Sequence, residues 1–180
     1  RSTDYYAYVR SKCYDNETGW TEWAMGTFRT RSRIELPYSQ AFLTNELPQG
    51  WWRFSNGTST QPTFLEGITY SLDSTFALAF DGVAAGKRAM AILPEVNVPS
   101  LHGVELSFWG TAGTNVEMSS NSSVARMYIG VMNDPELTES LVIVDTVEIQ
   151  VSNKHQHFNV SFDNYNGEGL CIAVVAGDAE

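Results

Sequence analysis

Basic residues are scarce in this sequence: 11 Lys and Arg stand against 21 Asp and Glu, a formal net charge of −10. Phosphate backbones are gripped by clustered Lys and Arg, so this composition argues against a nucleic-acid partner. Cysteine is scarcer still, with only Cys13 and Cys171. Two cannot build a disulfide scaffold. They either bridge to each other or, on the plainer reading, remain two buried free thiols. No run approaches the roughly eighteen apolar residues of a helical membrane span, which excludes insertion of that kind. Neither Met nor a signal-peptide pattern opens the chain, so a mature or excised piece of a larger protein is expected. Apolar spacing at three and four residues is nearly absent, which excludes a helical bundle. No Gly-x-Ser-x-Gly elbow, phosphate cradle or metal cluster stands out, and no acidic pair is singled out for glycoside hydrolysis. A non-enzyme is expected.

What the chain does have is strand chemistry, most clearly over 126–149. Two runs rich in β-branched and aromatic residues flank Asn133-Asp134-Pro135, a strand–turn–strand pattern. In the first run Met127, Ile129 and Val131 alternate with Tyr128, Gly130 and Met132, so neither face is polar. A strand of that kind is buried or carries something over its outer face. Similar runs occupy 5–11, 26–30, 51–54, 77–80, 88–93, 104–109, 127–132, 141–149, 155–162 and 170–175. Turn signals separate them: Asn56-Gly57, Asp81-Gly82, Ala112-Gly113 and Asn166-Gly167. Many short strands with polar turns specify an all-β protein, an antiparallel sandwich or barrel. The composition, 43 % hydrophobic but only 18 % charged and rich in Ser, Thr, Asn and Gly, suits an extracellular β-protein.

From Leu36-Pro37-Tyr38-Ser39-Gln40-Ala41-Phe42 and Leu47-Pro48-Gln49-Gly50-Trp51 onward, the chain resembles the MAM-like jelly-roll modules, also called cleaved-adhesin domains. These occur in large secreted surface proteins of Gram-negative bacteria, including the haemagglutinin/adhesin regions of gingipain proteases. The resemblance continues through 91–98, 104–109, 128–132, Asp134-Pro135, 144–147 and 158–162, about 140 residues in order. Its specificity lies in the ordered set and in no single motif. The first thirty residues resemble the last two strands of a fibronectin type III module, with Tyr5, Ala7, Val9 and Ser11 as one inward face. Two strands cannot bury a core alone. The implied organisation is a fibronectin-like fragment over 1–31 and a jelly roll over 34–180.

Two departures from that pattern matter. Many relatives carry Asp-Phe-Glu near the start of the first jelly-roll strand, where carboxylates serve a structural calcium; here Ala41-Phe42-Leu43 stands instead. Calcium takes six to eight oxygen ligands, so the site is weakened or lost, and no cofactor is expected. Relatives also close with a further strand after the stretch matching 170–175. That strand is expected beyond Glu180 in the intact protein; the alternative is that another segment takes its place at the open sheet edge left beside 170–175 or a neighbouring strand, an edge fit for strand addition. The Tyr5 strand is the obvious candidate to fill it.

Among candidate site residues, Trp51 is expected in the core. Strand alternation then turns Trp52 to the opposite side, where an indole can stack on a sugar ring. Trp109, at the end of a strand, is expected in the core, and Trp20 and Trp23 at partial burial in the hairpin loop. His155 and His157 share a strand face but lack a third ligand, and His102 stands apart, so no metal site is expected. Asp73, Asp81, Asp163 and Asp178 read as turn residues. Asn16, Asn56, Asn121 and Asn159 each open an Asn-x-Ser/Thr triplet, which marks surface loops only where such triplets are glycosylated.

The expectation is therefore a non-catalytic adhesion or ligand-binding module of a secreted or cell-surface protein. Its partners would be a glycan or a host protein, together with the other domains of its parent chain. A carbohydrate-binding module of a secreted hydrolase and a structural spacer are the alternatives.

Overall fold

A computed structural model describes residues 4–12, 19–56, 62–66, 76–80, 83, 86–112 and 124–177. Thirteen strands carry the fold: β1 (Asp4–Val9), β2 (Ala24–Arg29), β3 (Arg33–Ile34), β4 (Trp52–Ser55), β5 (Thr63–Glu66), β6 (Phe76–Ala79), β7 (Arg88–Ile92), β8 (Glu95–Val96), β9 (Glu105–Ala112), β10 (Val124–Met132), β11 (Val142–Gln150), β12 (Ser152–Ser161) and β13 (Cys171–Gly177). A single 3-10 turn, Thr138–Ser140, is the one helical element among the described residues. The protein is an all-β antiparallel sandwich. All ten strand runs read from the sequence are present, and β3, β5 and β8 are additional.

The main sheet has five antiparallel strands in the order β11-β10-β13-β7-β4. Its central strands are apolar on both sides because both faces are covered. One face packs against the β9–β12 ladder. There Ile129, Val131, Val147, Ile149 and Ile172 meet Val104, Val160, Phe162, Leu106 and Phe108. Phe162 and Ile129 are fully shielded, and burial of such side chains stabilises the fold by about 1.5–3 kcal/mol each. The opposite face gathers Met90, Ile92, Met132, Cys171, Ala173 and Val175 into a second cluster, joined by Trp52, Phe54, Tyr128 and Leu141. Strand register sets this second face directly, since Trp52 and Ala173 both pair with Ile92, and Phe54 and Val175 both pair with Met90. The two-sided pattern of 127–132 thus belongs to an interior strand that feeds both clusters.

β13 is hydrogen-bonded on both sides, to β10 and to β7. This corrects the expectation of an open edge beside 170–175 or a neighbouring strand: among the described residues the edges of this sheet are β11 and β4, and neither adjoins β13. A bulge between Ile129 and Gly130 bends β10 against β11. At Gly130 an added Cβ would lie 2.9 Å from the Val142 carbonyl oxygen, so the two strands approach as only glycine allows.

Among the described residues the β9–β12 ladder is covered on one face only. Leu106 and Phe108 turn inward while Glu105, Ser107 and Trp109 alternate outward. Trp109 is 55 % exposed, against the expectation of a core position. The strand does not end at Trp109 but runs on to Ala112, and the inward parity belongs to Leu106 and Phe108.

β1 and β2 form a separate antiparallel hairpin. Tyr5 stacks on Phe28 at 5.2 Å, and the guanidinium of Arg10 sits 4.4 Å from the Trp20 ring and 4.5 Å from the Trp23 ring. Every residue of β1 is exposed. The inward face expected of Tyr5, Ala7 and Val9 therefore has no cover among the described residues, as follows for two strands without a partner sheet.

Candidate functional site

The segment linking the hairpin to the sandwich crosses the end of the main sheet, where polar contacts hold it. Arg31 forms an ion pair with Asp134 at 2.8 Å, and its Nη1 donates to the Asn133 carbonyl at 2.7 Å. Arg33 pairs with Glu95 at 2.7 Å beside the two-residue parallel ladder of β3 with β8. The loop that receives Arg31 is itself braced. Asp134 Oδ1 accepts the Glu136 backbone N–H at 3.0 Å, and the Ser140 hydroxyl donates to the Asp134 carbonyl at 2.9 Å. Pro135 is buried beneath it.

Opposite this loop lies the turn 48–51. The Trp51 N–H donates to the Pro48 carbonyl at 3.0 Å, and Gly50 takes φ +83°. Positive φ at the third position is what a type II turn requires of glycine. This turn delivers Trp51 and Trp52 to the head of β4.

Between hairpin, linker, turn and loop is a cleft of about 720 Å³, within the range of small-ligand sites. Its aromatic walls are Tyr6, Phe28, Trp51 and Trp52. Its polar lining includes Asp4, Arg31, Ser32, Gln49, Asp134 and Glu136. Ser32 Oγ is buried and has no hydrogen-bond partner among the described residues. A buried hydroxyl left unpaired costs about 1–3 kcal/mol, a cost that an arriving polar group or a water removes. Flat apolar faces bordered by hydroxyl, amide and carboxylate groups suit a ligand with C–H faces and hydroxyl edges.

Trp51 and Trp52 lie on opposite faces of the sheet. Trp51 packs on the inner core, edge-on to Phe42 at 5.7 Å, with its Nε1–H donating to the Tyr38 hydroxyl at 3.0 Å. Trp52 turns the other way, but that face is the second apolar cluster. It is therefore half-buried, with part of its surface lining the cleft.

Of the other candidates, Ala41 and Leu43 present only hydrocarbon at the surface, Leu43 being 71 % exposed, while Phe42 turns in onto Trp51 and Phe64. The described residues hold no group of three or more His, Cys, Asp or Glu that could seat a metal. Asp163 is a turn residue: its Oδ1 accepts the Gly103 N–H at 2.8 Å. That bond first, and then the Ser161 hydroxyl, hold its carboxyl below the usual range; His102 adds a smaller effect. Cys171 is a buried free thiol, pushed up to about 11 by burial. His155 is half-buried, with Nε2 unpaired among the described residues, while His157 faces outward beside Trp109. Cys13, Asn16, Asp73, Asp81, Asn121 and Asp178 lie outside the described residues.

Most of the cleft was not legible beforehand. Tyr6, Phe28, Arg31 and Ser32 come from the hairpin and linker, and Asp134 and Glu136 from a loop a hundred residues away. Only the Pro-Gln-Gly-Trp-Trp and Asp-Pro signals marked two of its walls. Comparison of the chain with protein-family models, with curated proteins and with solved structures returned no match.

Proposed function

We propose that this chain is a non-catalytic ligand-binding module that serves adhesion in a secreted or cell-surface protein, with the ligand held in the cleft between hairpin and sandwich. The observation that carries the reading is the pairing of an aromatic wall with the exposed Gln49 amide and Glu136 carboxylate in a cavity of ligand size. A glycan suits it best, since pyranose faces stack on indole and phenol rings while ring hydroxyls reach Gln49 and the carboxylates. The same chemistry serves a carbohydrate-binding module attached to a secreted hydrolase, which an adjacent catalytic domain would reveal.

The test is a binding screen of the intact chain on glycan arrays and host surface glycoproteins, repeated with Gln49→Ala and Trp52→Ala. Gln49 is exposed, so its truncation leaves packing intact. A ligand weakened by both variants supports the cleft. Failure to find any ligand, or binding indifferent to both variants, leaves the spacer role.

A further inference from the structure

The outward face of the β9–β12 ladder carries a second arrangement, on different residues from the cleft. Its register pairs Trp109 with His157, Ser107 with Asn159, and Glu105 with Ser161. All six are exposed and share one side. Trp109 and His157 lie with ring centroids 4.8 Å apart at 43°. Ser107 Oγ is hydrogen-bonded to His157 Nε2 at 2.8 Å. The imidazole is thereby fixed in orientation from two sides, and it fixes one side of the indole.

The sandwich does not need an indole here. Leu106 and Phe108 already supply the inward side of β9, and Trp109 points to solvent with 55 % of its surface open. A polar residue would serve the outer face of this ladder equally well. The neighbours decide which ligand the exposed ring suits. One large apolar side chain among Ser, Asn and His is too little apolar surface for the desolvated centre of a protein interface. The six positions carry a single formal charge, Glu105, at the end away from Trp109, in a chain of net charge −10. Anionic ligands are therefore disfavoured, and none of the six positions puts a carboxylate beside the ring to hold a cation. A neutral, hydroxyl-rich ligand with one apolar face is complementary.

We propose that this face is a binding strip for a neutral saccharide. Trp109 stacks on the C–H face of one pyranose ring. The Asn159 amide, the Ser107 hydroxyl and His157 Nδ1 serve its hydroxyl edge. The next pair along the strands, Glu105 and Ser161, lies two residues further, about 7 Å beyond the Ser107–Asn159 pair, within reach of an adjoining sugar. Both strands are ordered by the core beneath them, so the platform needs little rearrangement to bind.

The experiment uses the full chain on an array of neutral and sialylated glycans. Titration calorimetry follows with the neutral hits and with cellohexaose, maltohexaose and N-acetyllactosamine. Trp109→Ala is expected to weaken at least one neutral glycan by about tenfold, the scale of one aromatic stacking contact. Asn159→Ala should weaken it less, and Trp109→Phe should retain part of the affinity. Gln49→Ala, an exposed cleft position whose truncation leaves packing intact, should leave that glycan unaffected, which separates this strip from the cleft. Thermal melts of Trp109→Ala and Trp109→Phe establish that the fold survives. The proposal is overturned if no neutral glycan binds, if only sialylated glycans bind, or if Trp109→Ala leaves every neutral glycan at wild-type affinity. It is equally overturned if Gln49→Ala removes the same glycan that Trp109→Ala removes.

Discussion

Trp51 donates its indole N–H to the Tyr38 hydroxyl at 3.0 Å, tying the strand that opens at Trp52 to the segment that precedes it. The bond lies on the inner side of the main sheet, and the next residue, Trp52, packs on the outer side against the partner of its register, Ile92. Two adjacent indoles thus anchor two separate apolar clusters. Trp51→Ala should cost about 3–5 kcal/mol, the range of aromatic truncations in cores. Tyr38→Phe should cost about 1 kcal/mol by removing one hydrogen bond. Trp52→Ala should also destabilise, by about 2 kcal/mol, because it opens the second cluster and does not merely strip a surface ring. Urea unfolding of the three variants checks the order. A Trp52→Ala protein as stable as wild type would show that its contact with Ile92 carries no weight.

Gly50, in the turn that lines the cleft, has no room for a side chain. Its φ of +83° and the 2.6 Å between an added Cβ and Ser32 Cβ both oppose a side chain. Gly50→Ala should lose about 2 kcal/mol or more, from backbone strain and displacement of the linker. Chemical denaturation measures the loss, and an unchanged midpoint would mean that the turn and Ser32 separate at little cost.

The Arg31–Asp134 pair, at 41 % and 30 % side-chain exposure, should contribute no more than about 1 kcal/mol to stability. Its larger role is to hold the linker against the 133–136 loop. In a double-mutant cycle of Arg31→Ala and Asp134→Ala, the coupling energy should be small and ligand binding in the cleft should fall for either single variant. A coupling energy well above 1 kcal/mol would make the pair a stability element first.

Burial pushes the Cys171 thiol up to about 11 from 9.0. The sign follows from which state ionises first. Below about pH 9 the thiol is neutral folded and unfolded, and its contribution is fully present. Between about 9 and 11 only the unfolded thiol ionises, so stability falls as pH rises, by up to about 3 kcal/mol in total. Cys171→Ala should lack this decline, and the difference between its unfolding free energy and that of wild type, followed from pH 8 to 11, isolates it. Parallel curves would place the thiol in a wetter site. With Cys13 changed to Ser, a thiol reagent at pH 8 should label the folded protein only at the rate of opening.

Calcium removal should leave stability unchanged. Ala41 and Leu43 offer no side-chain oxygen, and a bound ion at a hundredfold excess over its Kd would add nearly 3 kcal/mol. EDTA is expected to move the melting temperature by less than about 2 °C. A larger drop would mean that other oxygens assemble an ion site.

What the sequence determined by itself is the strand content and the two-sided burial of β10. Alternation of side chains is a local property with a period of two, and 127–132 shows apolar residues at both parities, so its neighbours hardly matter to the outcome. Strands of two or four residues, such as β3, β8 and β5, are too short to show a period, and they escaped notice. Side was legible only where parity could be anchored. For Trp52 the anchor was the Pro-Gly turn and Trp51. For Trp109 the anchor was wrong, because nothing in the local pattern marked that β9 continues to Ala112. The pairing order of the five-stranded sheet, the position of β13 inside it, and the meeting of Arg31 with Asp134 belong to the tertiary structure alone. They join residues up to a hundred positions apart, and which apolar faces meet depends on how whole sheets bury them together. The cleft exists only through that meeting.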